Sequence, residues 1–262
     1  MGVFNKNINR VYTFFAMRIL LLLIYNESEA DSYNKMLTIQ RQYIHSHANI
    51  DSYFVTFRRQ AHPIEIEDDK VYVQGGEGIL NILHKTLESM EYLCKQKSYD
   101  YVIRSNISTL FKLTQLYDNI SKSKYRKGVY QGCNLYRCKS HRDETAGITD
   151  ENVASYNIEH CYFYQGTCII LSRDVVSYIL KHKNKMLHDV VDDVAIALFL
   201  RSYMYHVYKK GVQKKLIHVY INENQYGTGA VIRNKTACRK TDAENMEKYV
   251  SRYLFDSVSY FF

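Results

Sequence analysis

Apolar residues follow two rhythms along this chain. Short unbroken runs read as strands covered on both faces, and runs with apolar positions every three or four residues read as one-sided helices. The clearest unbroken run is Ile19–Tyr25, which ends in Asn26-Glu27-Ser28. A helix capped by Asp31 or Ser32 is expected next, through about Ser46, with Tyr33, Met36, Leu37, Ile39, Tyr43 and Ile44 on one face. DSYFVTF (51–57) and VYVQ (71–74) are further strands, the second closed by Gly75-Gly76. The stretch 78–96 is helical, with an apolar stripe of Ile79, Ile82, Leu83, Leu87, Met90 and Leu93, from which Lys85 points away towards solvent. YDYVIR (99–104) is a fourth strand, and STLFKLTQLYDNI (108–120) reads as a helix.

Strands alternating with helices imply parallel pairing through right-handed crossovers, so residues 17–120 form a Rossmann-like α/β layer. Such sheets bind ligands beyond the carboxyl ends of their strands. Three polar tips then meet in one crevice: Asn26-Glu27, Gly75-Gly76-Glu77 and Arg104-Ser105-Asn106. Residues 121–262 read as shorter, partly antiparallel strands (128–132, 160–165, 167–172) with helices over 172–183 and 190–211, the latter stopped by Gly211. A strand at 214–221, a basic loop RNKTACRKTD (233–242) and a closing helix (243–255) complete the pattern. No low-complexity linker separates the halves. The fold class is α/β: one fused domain with a mixed sheet flanked by helices, preceded by an arm at 1–16.

The stretch VYTFFAMRILLLLIY resembles a membrane anchor but is too short and holds Arg18; a span needs roughly 20 apolar residues. MGVFNK lacks the Ser or Thr of a myristoylation signal, with Lys6 in its place. No transmembrane segment or secretory signal is expected, which places the chain in a cytoplasm, the host's if it is viral, with its six cysteines as free thiols. No CxxC pair suggests structural zinc. Tyrosine is abundant, tryptophan absent and proline single, a bias typical of an AT-rich genome. The formal charge of +8 favours an anionic partner.

The order of YDYVIRSN, then YFYQGTCIILSRDVVSYIL, then DDVAIALFL, then RNK…CRKTD resembles the GT-A glycosyltransferases. Within them it resembles the beta-1,3-galactosyltransferase and fringe-like group with its viral, bacterial and algal relatives, over residues 17–255. The resemblance implies transfer of a sugar, hexosyl or N-acetylhexosaminyl, from a UDP-sugar donor to the hydroxyl of a glycan or glycoprotein acceptor, with inversion. It implies Asp193 as general base with Asp192 beside it, and Gln165 and Gly166 on the acceptor side. Donor contacts fall to Asn26, Glu27, Arg104, Ser105, Asn106, Arg233, Lys235 and Arg239. Family members hold Mn²⁺ or Mg²⁺ on an acidic pair at the end of the fourth strand. Here Asn106 and Ser108 stand in that region, poor ligands for a hard ion, so no metal residue is assigned: either Mn²⁺ or Mg²⁺ is held by fewer ligands, or, the reading preferred, no metal is needed and basic side chains neutralise the diphosphate.

Plainer readings stand beside these. Arg104 also fits a strand cap paired with Asp100, the basic loop fits ordinary surface, Ser172 fits a simple N-cap, and acidic residues are commonplace in a first helical turn. His188 and His218 are weak candidates for metal or phosphate contacts. Gly166 either admits a substrate or marks a bulge. Two other functions remain open: a basic nucleic-acid-binding protein, disfavoured because no basic stripe or binding motif is present, and an inactive GT-A-like scaffold.

Overall fold

The strand Ile19–Ile24 (β1) is the axis of the molecule, and Ile19 to Leu23 have no exposed surface at all. Side chains alternate across a strand. Leu20, Leu22 and Ile24 therefore enter one core while Ile19, Leu21 and Leu23 enter another. That two-sided burial is why the run carries no polar residue. The computed structural model describes residues 16–27, 30–123, 125–133, 135–137, 147–156, 158, 161–209, 229–236 and 238–254. All but the last residue of the expected arm over 1–16, the strand over 214–221, Gly211 and His218 lie outside the described residues.

Helix α1 (Ala30–Arg41) leads to β2 (Ile50–Arg58), a hairpin of β3 (Ile64–Glu67) and β4 (Lys70–Gln74), helix α2 (Ile82–Gln96) and β5 (Tyr101–Asn106). Then come β6 (Thr109–Phe111), α3 (Leu113–Ser121), β7 (Tyr130–Gly132), β8 (Leu135–Arg137), α4 (Asp150–Tyr156), β9 (Tyr162–Tyr164) and β10 (Cys168–Ser172). Helices α5 (Arg173–Lys181) and α6 (Asp192–Lys209), strand β11 (Val231–Arg233) and helix α7 (Arg239–Tyr249) complete the order.

Seven strands form one mixed sheet in the order β3-β4-β2-β1-β5-β10-β7. The inner pairs β4/β2, β2/β1 and β1/β5 are parallel, while β10 runs antiparallel to both β5 and β7. One face is covered by α2, α5 and α6, the other by α1, α3 and α7. This is the mixed α/β architecture expected from the pattern. Among the described residues no helix is long and apolar enough to cross a membrane.

Two local expectations change. Residues 108–120 do not form one helix: Thr109–Phe111 pair with β11 as a two-stranded ribbon before α3 begins. The partner strand arrives far later in the chain, so no local periodicity could announce it. The basic stretch 233–242 is not a single loop either. Arg233 ends β11 and Arg239 opens α7, with Cys238 at the N-cap position. In the helix's first turn Asp242 accepts the Thr236 N–H, which ties the short connection to the helix.

Candidate active site

A cleft of ≈ 460 Å³ opens beyond the carboxyl ends of β1 and β5, beside the reversed strand β10. Asn26 follows β1, Asn106 ends β5, Gln165 and Gly166 lie in the turn between β9 and β10, and Asp192 and Asp193 open α6. Arg104, Arg233, Lys235 and Arg239 also line it. Ten residues singled out from the sequence are thereby brought into one space. Glu27 and Ser105 are not. Glu27 is drawn aside by Lys70, whose Nζ donates to its carboxylate. Ser105 faces the opposite layer from its neighbours Arg104 and Asn106, and its hydroxyl donates to the Thr167 carbonyl.

The floor is built around Arg104, 2% exposed, and Asp192, 3% exposed. Arg104 Nε lies 2.7 Å from Asp192 Oδ2, an ion pair by distance although the N–H is not aimed along that line. Nη1 donates to Asn106 Oδ1 at 2.8 Å and to the Gly166 carbonyl. Thr86 Oγ1 donates to the same Asp192 oxygen at 3.4 Å. The alternative pairing with Asp100 does not occur: that carboxylate accepts from the Arg18 N–H and from Arg173. A Cβ at Gly166 would lie 2.1 Å from Arg104 Nη1, so any side chain there would push the guanidinium out of this position. The close approach is made by the protein's own guanidinium.

Asp193 sits half-buried at the helix start. Its Oδ2 accepts the Gly166 N–H at 3.1 Å, and its Oδ1 accepts the Val194 N–H at 2.9 Å. Burial, and then the Asp192 charge, push its carboxyl up to about 6, against the opposing pull of Arg104 and of the two N–H donors. A carboxylate poised there can exchange a proton near neutral pH.

The sequence reading missed Lys85 and undervalued Glu77. Lys85 is 1% exposed rather than solvated. It donates to the Tyr25 carbonyl and to Glu77 Oε2, each at 2.7 Å, and lies 4.8 Å from the Phe57 ring centre. Burial holds its pKa below the ordinary lysine value. Glu77 Oε1 accepts from Thr56 Oγ1 and the Phe57 N–H. A signal existed: Thr86 and Ser89 flank the apolar stripe of α2, and both are buried. Small polar residues beside a stripe mark a buried face wider than the stripe itself.

The outer wall carries three cations. Arg233 donates to Gln165 Oε1. Arg239 lies 3.0 Å from Asp242 Oδ2 and 5.8 Å from the Tyr33 ring centre. Among the described residues no carboxylate lies within ion-pair distance of Lys235. Burial, then the charges of Arg239 and Arg233, lower its pKa. Ser172 stands at the N-cap of α5 without capping it: its hydroxyl accepts the Val129 N–H and donates to Asp174. His188 is exposed, outside the cleft, within 3.2 Å of the Lys183 carbonyl. Among the described residues no group of three or more His, Cys, Asp or Glu side chains is placed to hold a metal ion.

No protein-family model matches this chain, and no curated protein matches its sequence. Among solved structures, it is similar to a glycosyltransferase involved in the glycosylation of the major capsid of PBCV-1. The match has 10% identity, covers 88% of this chain and 99% of that one, and has a TM-score of 0.45.

Proposed function

We propose that this chain is a glycosyltransferase that moves a hexosyl or N-acetylhexosaminyl group from a nucleotide-sugar, a UDP-sugar in the first instance, to an acceptor hydroxyl. The observation that carries the reading is the pairing of two features across one cleft. A carboxylate with raised proton affinity, Asp193, faces a wall of crowded cations at the carboxyl ends of the sheet. The cations suit a diphosphate, and the carboxylate suits the proton of a hydroxyl.

In this reaction the acceptor oxygen attacks the anomeric carbon from the face opposite the diphosphate, so the anomeric configuration inverts. The new C–O bond forms as the bond to the diphosphate oxygen breaks. The hydroxyl proton passes to Asp193, and the nucleoside diphosphate leaves with the bonding electron pair. Arg233, Lys235 and Arg239 meet the negative charge that grows on the leaving oxygens, where fixed cations stabilise the transition state more than the ground state. Asn26 and Asn106 offer amide groups to the donor. Gln165 offers its amide nitrogen to the acceptor, its oxygen being held by Arg233. Gly166 contributes by aligning Asp193 through its N–H.

The test is donor hydrolysis across UDP-, GDP- and TDP-sugars, with thermal shifts for the free nucleotides. Sugar release from one nucleotide class, with a rise of a few degrees in Tm on saturation by that nucleotide, supports the reading. No response to any nucleotide, together with salt-sensitive binding of single-stranded DNA, overturns it in favour of nucleic-acid binding. Nucleotide binding without hydrolysis or transfer to any acceptor indicates an inactive scaffold.

A further inference from the structure

Three oxygens lie against the Arg104 guanidinium on the cleft floor, Asp192 Oδ2 at Nε and the side-chain oxygen of Asn106 and the main-chain oxygen of Gly166 at Nη1. They come from the start of α6, the end of β5 and the β9–β10 turn. A carboxylate, an amide oxygen and a peptide oxygen are the ligand types that a hard divalent cation takes. What stands among them is the guanidinium of Arg104. The divalent ion implied by the resemblance at this strand end does not fit the residues present. Asn106 and Ser108 bring no carboxylate, and Asp192 already faces a cation. The other carboxylate deep in the cleft, Glu77, is held by Lys85, Thr56 and the Phe57 N–H.

We propose that Arg104 is a built-in cation: its guanidinium fills the oxygen-lined position on the cleft floor that a divalent metal ion would otherwise take, and through Asp192 and Gly166 it positions Asp193. Arginine suits the task. Its charge persists at any physiological pH, and its fork reaches several oxygens at once, where lysine offers a point charge. Gly166 is the complementary adaptation, since a side chain at that position would displace the guanidinium. Arg104 touches both elements that define Asp193: the residue before it in α6, and the glycine whose N–H binds its carboxylate.

Deleting the guanidinium should leave a carboxylate, an amide oxygen, a carbonyl and room for water, a set typical of Mg²⁺ and Mn²⁺ sites. The link to catalysis rests on the proposed glycosyl transfer. The occupancy does not, so the experiment uses Mn²⁺ without any nucleotide, and the donor-hydrolysis screen tests the other reading separately. Mn²⁺ binding is followed by titration calorimetry and by paramagnetic broadening of the Gly166 amide signal. Wild type and Arg104→Lys should show neither saturable binding nor broadening. Arg104→Ala should gain saturable Mn²⁺ binding, at least about tenfold tighter than the weakest affinity the same titration would detect in wild type. Its Gly166 signal should broaden and its Tm should rise with Mn²⁺. If Arg104→Ala does not fold, Arg104→Gln supplies a neutral replacement whose carbonyl adds a ligand, with the same expectation. Broadening of Gly166 in wild type overturns the proposal, because a metal and Arg104 then share the floor. A folded neutral variant that gains no Mn²⁺ binding overturns it as well.

Discussion

On the floor of the cleft every charge meets an opposite one. Arg104 faces Asp192 and Lys85 faces the partly buried Glu77, and the first three have almost no exposure. On the outer wall Arg233, Lys235 and Arg239 crowd together, and the acid paired there is Asp242. The two regions therefore do different work. A buried, matched set fixes geometry and has little charge to offer a ligand. A crowded, unmatched set carries unspent attraction, and the pKa of Lys235, lowered first by burial, is lowered further by the charges of Arg239 and Arg233. An anion arriving at the wall relieves a strain in charge that one arriving at the floor would not.

The sharpest way to break the contrast is to unbalance the floor. Asp192→Ala leaves the Arg104 guanidinium buried without its carboxylate, and loss of one partner from a buried pair costs about 3–5 kcal/mol. Urea unfolding should show that loss, and Asp192→Leu combined with Arg104→Met should recover much of it. If Asp192→Ala loses under about 1 kcal/mol, the range of an exposed pair, the floor is not a matched buried set.

Next in size is the carboxylate between the two regions. Asp193→Asn keeps the shape but cannot take a proton. In the proposed reaction it should bind UDP as wild type does and lose at least about a hundredfold in turnover, roughly 2.7 kcal/mol of barrier. Near-normal turnover removes Asp193 from the chemistry. In wild type the same group should give kcat an acid limb near pH 6, because the carboxylate must be ionised to act. A smaller effect belongs to the wall. Arg239→Ala should weaken UDP binding by about 1.5 kcal/mol, the lower range for a charged hydrogen bond, and should flatten its salt dependence. Unchanged affinity returns that wall to ordinary surface.

Much of this arrangement was legible in the chain, for reasons that particular residues make plain. Ile19–Tyr25 announced a central strand because burial on both faces leaves an uninterrupted apolar run. The polar end of β5 announced the cleft because ligand sites lie beyond strand ends, whereas Asp192-Asp193, at a helix start, were singled out by the resemblance alone. The period of two within YVIRSN could also have separated Ser105 from Arg104 and Asn106, and should have excluded it. What stayed hidden depends on contacts between distant segments. The Arg104–Asp192 pair joins β5 to α6, and the Thr109–Phe111 strand exists only because β11 lies beside it. Lys85 was hidden because its partner, Glu77, lies on a loop whose course no helical periodicity records. Glu27 faced the crevice on paper and was diverted by a lysine on another strand.

The smallest expected effect tests whether Asp193 belongs electrostatically to the floor or to the wall. Its neighbours are Asp192 on its own helix, Arg104 on β5, Tyr130 on β7, Lys235 beyond β11 and the N–H groups of Gly166 and Val194. Burial and Asp192 prevail, so the folded pKa lies above the ordinary 3.8, at about 6. Between those values the folded state retains a proton that the unfolded chain has released. Stability contributed by this group is therefore fully present below the unfolded pKa, falls as pH rises through the folded pKa, and is level above it. Asp193→Asn removes that dependence while the other titrating groups largely cancel in the comparison. The Tm of the variant minus that of wild type should climb between about pH 4 and pH 6.5 and then stay flat. Solvent reaching a half-buried group limits the rise to on the order of 1 kcal/mol, or about 2 °C for a chain of this size. A difference that is flat over this window and instead falls as pH rises towards about 4 would mean that the wall's cations control Asp193, depressing its pKa instead of leaving it raised. The carboxylate would then be held ionised by Lys235 and its neighbours, and the separation between a matched floor and an unmatched wall would fail at the residue where the two meet.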